Sequence, residues 1–453
     1  MLPSIINRIR GFCNGAGEII HKCIYWLKFL VAKFIWAGYH KYTLKKAVNA
    51  VAGRLRPGQD SQIRIQSMKY IKKRKILKNL HTRCVFFLLL FVTAVHILAW
   101  NSKPFTNWYR LNLFPLWTGI IGRISSLTHG SVGEILIIAG VCLTVAEALL
   151  LILFLVKKGF ERIQNKKQAG VSSGFYKWNR RFVCWVLVYI YVTETLNCYV
   201  LYHASTVEEQ FYQGSDEEGM EELIAAYTET VTKANALSAK VARDADGQAV
   251  YEGTQQQLYD ACKKAMKKQG KKYPYLAGYY PDPKPVRASH FMSQQHLLGI
   301  YFPFTMEANY NTVMYPLNVP ATICHEFSHL KGIILEDEAN FFGFAACIES
   351  EDVYLQYSGY LSVLGYLARQ VRKSVPEEIR KTMPVADEQV IQDDVFLTQA
   401  QWAQVEERAV IPTETVNKAT NVFLEKNLTM NGIEDGIQSY SRVVRLVVKY
   451  YAD

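Results

Sequence analysis

Three long runs of apolar residues separate the first half of the chain from the second. They cover residues 84–100, 134–156 and 182–201. A helix needs roughly 20 mainly apolar residues to cross the hydrocarbon core of a bilayer, and each run comes close to that length. The pattern therefore predicts a membrane domain over residues 84–203 that contains three transmembrane helices.

Beyond residue 203 the apolar residues recur at helical spacing, with charged residues between them. This spacing predicts helices over residues 217–242, 254–268, 351–373, 386–409, 412–427 and 435–451. Four prolines between residues 274 and 285 predict a loop. The aromatic, β-prone stretch 298–315 predicts a short hairpin or an edge strand. We therefore expect residues 204–453 to form a mostly helical domain, which makes the whole chain mainly α-helical.

Charge divides the chain at the same place. Residues 1–203 contain 29 Lys and Arg but 6 Asp and Glu, whereas the rest of the chain contains 23 basic and 34 acidic residues. A basic, apolar half joined to an acidic, polar half indicates a membrane anchor followed by a soluble domain. The long apolar runs in the basic half favour the lipid bilayer as its partner, so we expect no nucleic-acid binding.

The basic residues also predict the orientation of the chain in the membrane. They cluster at 72–83, before the first apolar run, and at 157–181, and basic flanks of this kind stay in the cytoplasm. Segment 1–83 is then cytoplasmic or interfacial, and residues 204–453 are extracytoplasmic. Residues 19–38 are apolar but carry three lysines, which is typical of a helix lying on the membrane surface. A fourth span at this position would invert the topology.

Residues 324–332 read CHEFSHLKG and contain the motif H-E-x-x-H. On a helix, His325 and His329 lie one turn apart on the same face, so that both imidazoles reach one Zn²⁺. Glu326 lies at the edge of this face, where a general base would act on water. Apolar residues flank the motif and indicate a buried helix, in which polar side chains need partners. The motif therefore predicts a zinc site with Glu326 as the catalytic residue.

A cluster of carboxylates after the motif supplies candidates for the third metal ligand. Gly332 predicts the end of the first helix, and a second helix is expected to follow. Glu336 and Asn340 then lie one turn apart. We expect Glu336 to be the third ligand and Asn340 to orient a ligand histidine. Asp337 and Glu338 are alternatives, although acidic residues at a helix start also stabilise the helix dipole.

The motif and the helix after it resemble the sites of known peptidases. Glu336 followed four residues later by Asn340 is similar to the gluzincin arrangement. Residues 336–340 (EDEAN) resemble the E-x-x-A-D signature of membrane peptidases related to the CAAX prenyl endopeptidases, with Asn in place of Asp. The chain also resembles the bacterial membrane-protein family catalogued as domain of unknown function 3810, in residues 299–309, 324–332, 336–347 and 357–360. These resemblances imply a membrane protein with a zincin-like site.

Together these features predict a membrane-anchored zinc metallopeptidase whose zincin-like domain is residues 204–453. In the expected mechanism zinc polarises a water and the scissile carbonyl, and Glu326 passes the water proton to the leaving amine. A zinc hydrolase also needs a group that stabilises the oxyanion. Tyr357, Tyr440 and Arg442 are the candidates for that role.

The expected substrate is a peptide or protein, for example one of the cell envelope. An edge strand within 298–315 would pair with an extended peptide. A catalytically silent zincin-like module that binds or senses is the alternative function. An intramembrane protease is disfavoured, because polar residues on both sides of the motif interrupt any membrane span.

Overall fold

The computed structural model describes residues 60–163, 172–212, 219–430 and 440–452. The α-helices, in chain order, are α1 (Asp60–Asn101), α2 (Lys103–Asn112), α3 (Phe114–Ser125), α4 (Val132–Ile163), α5 (Ser172–Glu194), α6 (Val207–Phe211), α7 (Met220–Ser238), α8 (Gln255–Gln269), α9 (Ser289–Gln294), α10 (Asn318–His329), α11 (Glu336–Ile348), α12 (Val353–Ser374), α13 (Glu377–Arg380), α14 (Glu388–Asp393), α15 (Gln399–Arg408), α16 (Thr413–Met430) and α17 (Tyr440–Ala452). Short helical turns are a π-helical turn (Thr195–Tyr199) and two 3-10 turns (Leu201–His203 and Pro274–Leu276). The strands are β1 (Lys284–Val286), β2 (Gly299–Phe302) and β3 (Glu307–Asn311). The fold is mainly α-helical with a small mixed sheet, as the sequence predicts.

Three of the described helical stretches are long and apolar enough to cross a membrane. They are Leu80–Asn101 in α1, Val132–Val156 in α4, and Trp178–His203, which comprises most of α5 and the two helical turns after it. Each stretch contains one of the predicted apolar runs and extends it by a few residues. The prediction of three such helices is therefore confirmed. The predicted surface helix at 19–38 lies outside the described residues, as does most of segment 1–83.

The chain forms two compact units. One contains the described parts of Met1–Phe91 and Ala146–Ile190, and the other contains Val92–Val145 and the described parts of Tyr191–Asp453. The second unit, called the C-terminal unit below, carries the H-E-x-x-H motif. The domain boundaries expected from the sequence, with a division near residue 204, stay a prediction.

Two helices fill the connection between the first two spanning helices. Ser102 separates α1 from α2 and caps α2, because its hydroxyl accepts the N–H of Phe105 at 3.3 Å. Prolines in the first turns of α2 and α3 suit positions where no backbone donor is needed. Phe114, Thr118 and Gly122 form a buried face of α3. Neither helix is predicted from the sequence, because both are too short to register as membrane spans.

The three strands form a sheet with the order β1-β3-β2. β2 and β3 pair antiparallel, with Tyr301 opposite Ala308, which confirms the predicted hairpin. β1 pairs in parallel with β3, with Lys284 opposite Asn309, where the sequence predicts only a loop. Pro285 is tolerated in β1 because this strand is at the edge of the sheet. β2 forms the opposite edge and packs against α10.

The motif helix α10 lies among other helices of the C-terminal unit. α11, α12 and α8 pack on α10, while α7 and α17 pack on α12. The core contains large aromatic side chains, of which Tyr273, Phe341, Phe342 and Phe344 are fully buried. This packing fixes α10 within the core, because the burial of large aromatic side chains is a major contribution to core stability.

One predicted helix differs in extent from the observed structure. The stretch 386–409 forms two short helices, α14 and α15, instead of one. Thr398 begins α15 in a capping box. Asp393, at the end of α14, is buried and accepts hydrogen bonds of 2.8 Å from the hydroxyls of Tyr315 and Tyr357. Since these tyrosines are distant in sequence, local apolar spacing gives no signal for the break.

Two carboxylates fix the start of α4 to the rest of the C-terminal unit. Glu307 of β3 accepts hydrogen bonds from the backbone N–H groups of Val132 at 3.1 Å and Gly133 at 2.8 Å. Glu134 of α4 in turn accepts two backbone N–H groups that follow β1, at 2.7 and 3.2 Å. The first turn of a helix has free N–H groups and the positive end of the helix dipole, and both favour a carboxylate. The second spanning helix therefore begins at a fixed point beside the sheet.

Candidate metal centre

The H-E-x-x-H motif lies at the C-terminal end of α10. His329 is the last helical residue, and Gly332 follows with a φ of 80°, the left-handed conformation that ends many helices. The N–H of Ile333 donates to the carbonyl of Ser328 at 3.1 Å. The chain then reverses, and α11 begins at Glu336 and packs on α10. The predicted pair of helices joined by a glycine turn is confirmed.

The two helices approach each other closely at Gly343 of α11. A methyl group built on Gly343 would lie 2.9 Å from the carbonyl oxygen of Ala321 and 3.5 Å from Cβ of His325. A larger side chain would push α11 away from α10. The glycine therefore permits the short distance over which Glu336 and Asn340 reach the histidines.

Three polar side chains of these helices converge. The Nε2 atoms of His325 and His329 are 3.1 Å apart. The carboxylate of Glu336 has Oε2 at 3.2 Å from Nε2 of His325 and Oε1 at 3.7 Å from Nε2 of His329. Donor atoms bound about 2.05 Å from a tetrahedral zinc ion are about 3.3 Å from one another. The three separations therefore suit the donors of a single metal ion.

Both imidazoles are held through their other nitrogen. Nδ1 of His325 lies 2.9 Å from Oδ1 of Asn340, and Nδ1 of His329 lies 2.6 Å from the carbonyl oxygen of Ile333. Each Nδ1–H donates to an oxygen acceptor, which leaves Nε2 as the free ligand atom. Two nitrogen lone pairs and a carboxylate then face one another. This arrangement needs a cation, either a proton or a metal ion.

Glu326 is enclosed beside this group. Its side chain is 4% exposed, and its Oε1 lies 3.9 Å from Nε2 of His325. Its Oε2 has no hydrogen-bond partner in the described part of the chain. A buried carboxylate oxygen without a donor is costly unless a bound molecule supplies one. His325, Glu326 and His329 form a group whose ligand atoms lie within 4.8 Å of one another and could hold a metal ion.

The edge strand β2 passes close to Glu326. A methyl group built on Gly299 would lie 2.7 Å from Cγ and 2.8 Å from Cδ of Glu326, and closer still to its Oε1. Glycine lets the strand come this near. The N–H of Asn311 donates to the carbonyl of Leu298 at 2.8 Å. In an antiparallel pair every second residue of a strand makes such bonds, so the N–H and C=O groups of Gly299 and Tyr301 point away from β3. In the described part of the chain no strand pairs with this edge of β2, and the edge lies beside the motif.

The ionisable groups of the site influence one another. Burial opposes protonation of His325, but the hydrogen bond and charge of Glu336 outweigh it and raise the pKa of this imidazole. Burial lowers the pKa of His329 to about 4 and raises the pKa of Glu326 to about 8. Partial burial opposes ionisation of Glu336, yet the two imidazoles hold its pKa below the usual value. At neutral pH Glu336 is therefore charged and His329 neutral, as metal binding requires, whereas the pKa of His325, raised to about 9, means that a metal ion would have to displace a proton from this imidazole.

The other two acidic residues at the start of α11 contact different partners. Asp337 forms an ion pair with Arg442, with Oδ2 and Nε 2.9 Å apart. Glu338 accepts the backbone N–H of Val207 at 2.5 Å, and burial raises its pKa to about 8. Of the three carboxylates that the sequence offers as the third ligand, Glu336 is the one that the structure places next to the histidines.

The residues that the sequence offers for oxyanion stabilisation contact other groups, as far as their side chains are described. Tyr357 donates to a buried carboxylate of α14 at 2.8 Å, Arg442 forms the ion pair given above, and the side chain of Tyr440 lies outside the described residues. An aromatic neighbour that sequence reasoning missed is Tyr301 of β2, whose ring centroid is 5.9 Å from that of His329. Its place in the predicted hairpin is the signal that could have found it.

The chain matches one protein family over most of its length. The model described as "Protein of unknown function (DUF3810)" matches residues 109–448. The chain belongs to this family. The match includes the second and third spanning helices, the sheet and both motif helices, and it confirms the family resemblance seen in the sequence. The description of the DUF3810 family names no peptidase, metal or substrate. No curated protein and no solved structure gives a significant match.

Proposed function

We propose that the chain is a membrane-anchored zinc metallopeptidase in which His325, His329 and Glu336 hold the metal. The convergence of two Nε2 atoms and one carboxylate at 3.1 to 3.7 Å supports this proposal most strongly. Two histidines and a glutamate are a common ligand set of catalytic zinc, which keeps a further position open for reaction. The same set, drawn from a motif helix and the helix after it, is similar to the gluzincin arrangement.

The role of Glu326 follows from its place beside the metal ligands. A bound zinc ion supplies a Lewis acid that polarises the scissile carbonyl and makes water more acidic. Glu326 takes a proton from the attacking water and gives it to the amine nitrogen as the C–N bond breaks. Burial raises the pKa of Glu326 and a neighbouring zinc ion would lower it again, and a group that titrates near neutral pH accepts and donates a proton readily.

An extended peptide would bind along the free edge of β2. The outward backbone groups of Gly299 and Tyr301 offer hydrogen bonds to an added strand. β2 lies so close to Glu326 that a peptide bond paired with the strand would be near the general base. This geometry favours a polypeptide substrate.

Residues 204–453 are extracytoplasmic in this proposal, and the N-terminus is cytoplasmic. The basic clusters at 72–83 and 157–181 support this orientation. α10 is not among the membrane-spanning stretches found in the described residues, so cleavage would take place outside the hydrocarbon core. A phosphatase fused to the C-terminus, active only outside the cytoplasm, should be active. An inactive phosphatase fusion together with a fluorescent cytoplasmic-reporter fusion would contradict the orientation.

Zinc content and peptide cleavage, measured on the same samples, test the proposed chemistry. We would use the full chain in detergent, because Val92–Val145 belongs to the same compact unit as the motif. Glu326→Gln should keep its zinc but cleave a peptide library roughly 10²- to 10⁴-fold more slowly. Glu351→Gln, a matched change at a carboxylate with 84% exposure, should behave as wild type.

The outcomes of this experiment distinguish a general base from a metal ligand at Glu326, and a peptidase from a silent binding module. Cleavage by Glu326→Gln at the wild-type rate would contradict its role as general base. Wild-type protein that binds zinc but cleaves no peptide would favour the alternative function, a silent module that binds or senses. Loss of zinc in Glu326→Gln would move Glu326 from base to ligand.

A further inference from the structure

An apolar face is exposed on the connection between the first two spanning helices. It consists of side chains on α2, on α3 and just after α3, each between 49% and 84% exposed: Trp108, Leu111, Leu116, Ile120, Ile124 and Leu127. On α3 these residues recur every three or four positions, so they form one continuous stripe along the helix. Soluble surfaces rarely expose a contiguous apolar set of this size. The apolar face is therefore expected to contact another phase or molecule.

The opposite side of α3 packs against the end of the motif helix. The hydroxyl of Thr118 donates to the carbonyl of Leu330 at 2.8 Å, and Leu330 directly follows His329. Phe114 lies against the turn after the motif, where a methyl on Gly332 would be 3.2 Å from its ring. Because a helix is about 10 Å thick, α3 separates the apolar face from the end of the motif by about that distance.

The connection is tied to the ends of spanning helices on both sides. The first spanning stretch ends at Asn101, and one residue separates it from α2. The second begins at Val132, shortly after α3, and Glu307 holds its first turn. Trp100 of the first stretch packs on His203, the end of the third, with ring centroids 4.3 Å apart. These attachments keep α2 and α3 where the spanning helices leave the bilayer.

The three basic side chains of the connection have partners, and one of them, Arg123, is exposed at the edge of the apolar face. Lys103 forms a 2.6 Å ion pair with a carboxylate of α6. Arg110 is buried, with its guanidinium 4.4 Å from the ring centre of Tyr275. Arg123 lies 4.1 Å from the ring centre of Tyr279. An apolar stripe that includes tryptophan and has one arginine at its edge suits the boundary between lipid headgroups and acyl chains.

We propose that the apolar face is a membrane-docking surface that lies in the leaflet on the side of residues 204–453. α3 then lies in the plane of the bilayer, and its buried side supports the end of α10. Lipid is the occupant because the face is continuous in sequence with spanning helices at both ends, and because its one charged neighbour, Arg123, lies at its edge, where a guanidinium reaches the lipid headgroups. The docking holds the motif within about one helix diameter, about 10 Å, of the leaflet.

Brominated lipids test this proposal without reference to any activity. Full-length wild type, Ile120→Trp and Val385→Trp would be placed in nanodiscs made with ordinary or acyl-brominated lipid, and the emission added by the new indole would be measured. Ile120 belongs to the apolar face, whereas Val385 is an equally apolar control, 72% exposed, on a loop of the same unit. Aqueous iodide would quench the same samples in parallel. Ile124→Trp repeats the measurement if Ile120→Trp unfolds.

The proposal expects opposite behaviour of the two positions. Brominated lipid should remove most of the emission added by Ile120→Trp, while iodide should remove most of that added by Val385→Trp. Emission from Ile120→Trp that survives brominated lipid overturns the proposal. Quenching by iodide would then show that the face is open to water, and resistance to both quenchers would show that a second copy or another protein covers it.

Discussion

Replacing Gly299 by Ala is expected to remove most of the peptide cleavage while the metal site stays intact. The new methyl would lie 2.7 Å from Cγ and 2.8 Å from Cδ of Glu326, whereas carbon atoms pack at about 3.5 Å, so one group must move by roughly 1 Å. Glu326 is buried, so its side chain has little room to turn away. A misplacement of about 1 Å costs on the order of 100-fold in rate. Overpacking of this kind also costs about 1–3 kcal/mol of stability.

The assay compares purified full-length wild type, Gly299→Ala and Gly130→Ala. Gly130 is the matched control, because a methyl there has no atom within 4 Å. Zinc content, the melting temperature and the initial rate of peptide-library cleavage would be measured on each sample. Gly299→Ala should bind zinc as wild type does, melt at a lower temperature and cleave about 100-fold more slowly. Gly130→Ala should match wild type in all three.

Two results would refute this reasoning. Cleavage at the wild-type rate by folded Gly299→Ala would show that β2 does not confine the general base. Loss of zinc from the folded variant would show that Glu326 is itself a ligand, because the three atoms nearest to the added methyl belong to Glu326.

Three further predictions concern the support of the metal, the membrane attachment and the substrate. Asn340→Ala removes the acceptor for Nδ1 of His325 and should weaken zinc binding about 10- to 100-fold in a chelator competition. Asn340→Asp should bind zinc nearly as well as wild type. Equal zinc affinity of wild type and both variants would contradict the orienting role of Asn340. Glu307→Gln removes the charge at the start of α4 and should destabilise the protein by about 1–2 kcal/mol in a detergent melt. The exposed control Glu378→Gln should change stability by less than about 0.5 kcal/mol, and equal melting of both variants would argue against the anchoring role. If the apolar face docks on lipid, a lipid-anchored peptide in vesicles should be cleaved faster than the same peptide without the anchor, provided that the scissile bond lies roughly 3–8 extended residues from the anchor. Equal cleavage rates of the two peptides would contradict a membrane-proximal substrate.

The sequence was sufficient for the features that depend on local patterns. The three helices that are long and apolar enough to span a membrane follow from apolar composition alone, because a helix that crosses the bilayer core needs about 20 mainly apolar residues. The pair His325 and His329 follows from the helical repeat, and Gly332 from its ability to adopt a positive φ. These features need no knowledge of tertiary contacts.

The remaining features depend on contacts between distant parts of the chain. Glu336, Asp337 and Glu338 point in directions about 100° apart on a helix, so the turn before α11 decides which one meets the histidines. Glu307 lies far in sequence from α4, and only the fold brings its carboxylate to that helix. The apolar stripe on α3 is present in the sequence, but it is short and lies between two longer apolar runs, so it gives no separate prediction.

Zinc X-ray absorption of the full-length protein tests the central claim most directly. The protein, purified without chelators, should show bound zinc with nitrogen and oxygen donors at about 2.0–2.1 Å, including scattering from two imidazoles, and His329→Ala should lose it. Folded wild-type protein that holds no zinc would contradict the proposed centre. A sulfur donor at about 2.3 Å would also contradict it, because the metal would then be bound by a cysteine such as buried Cys324.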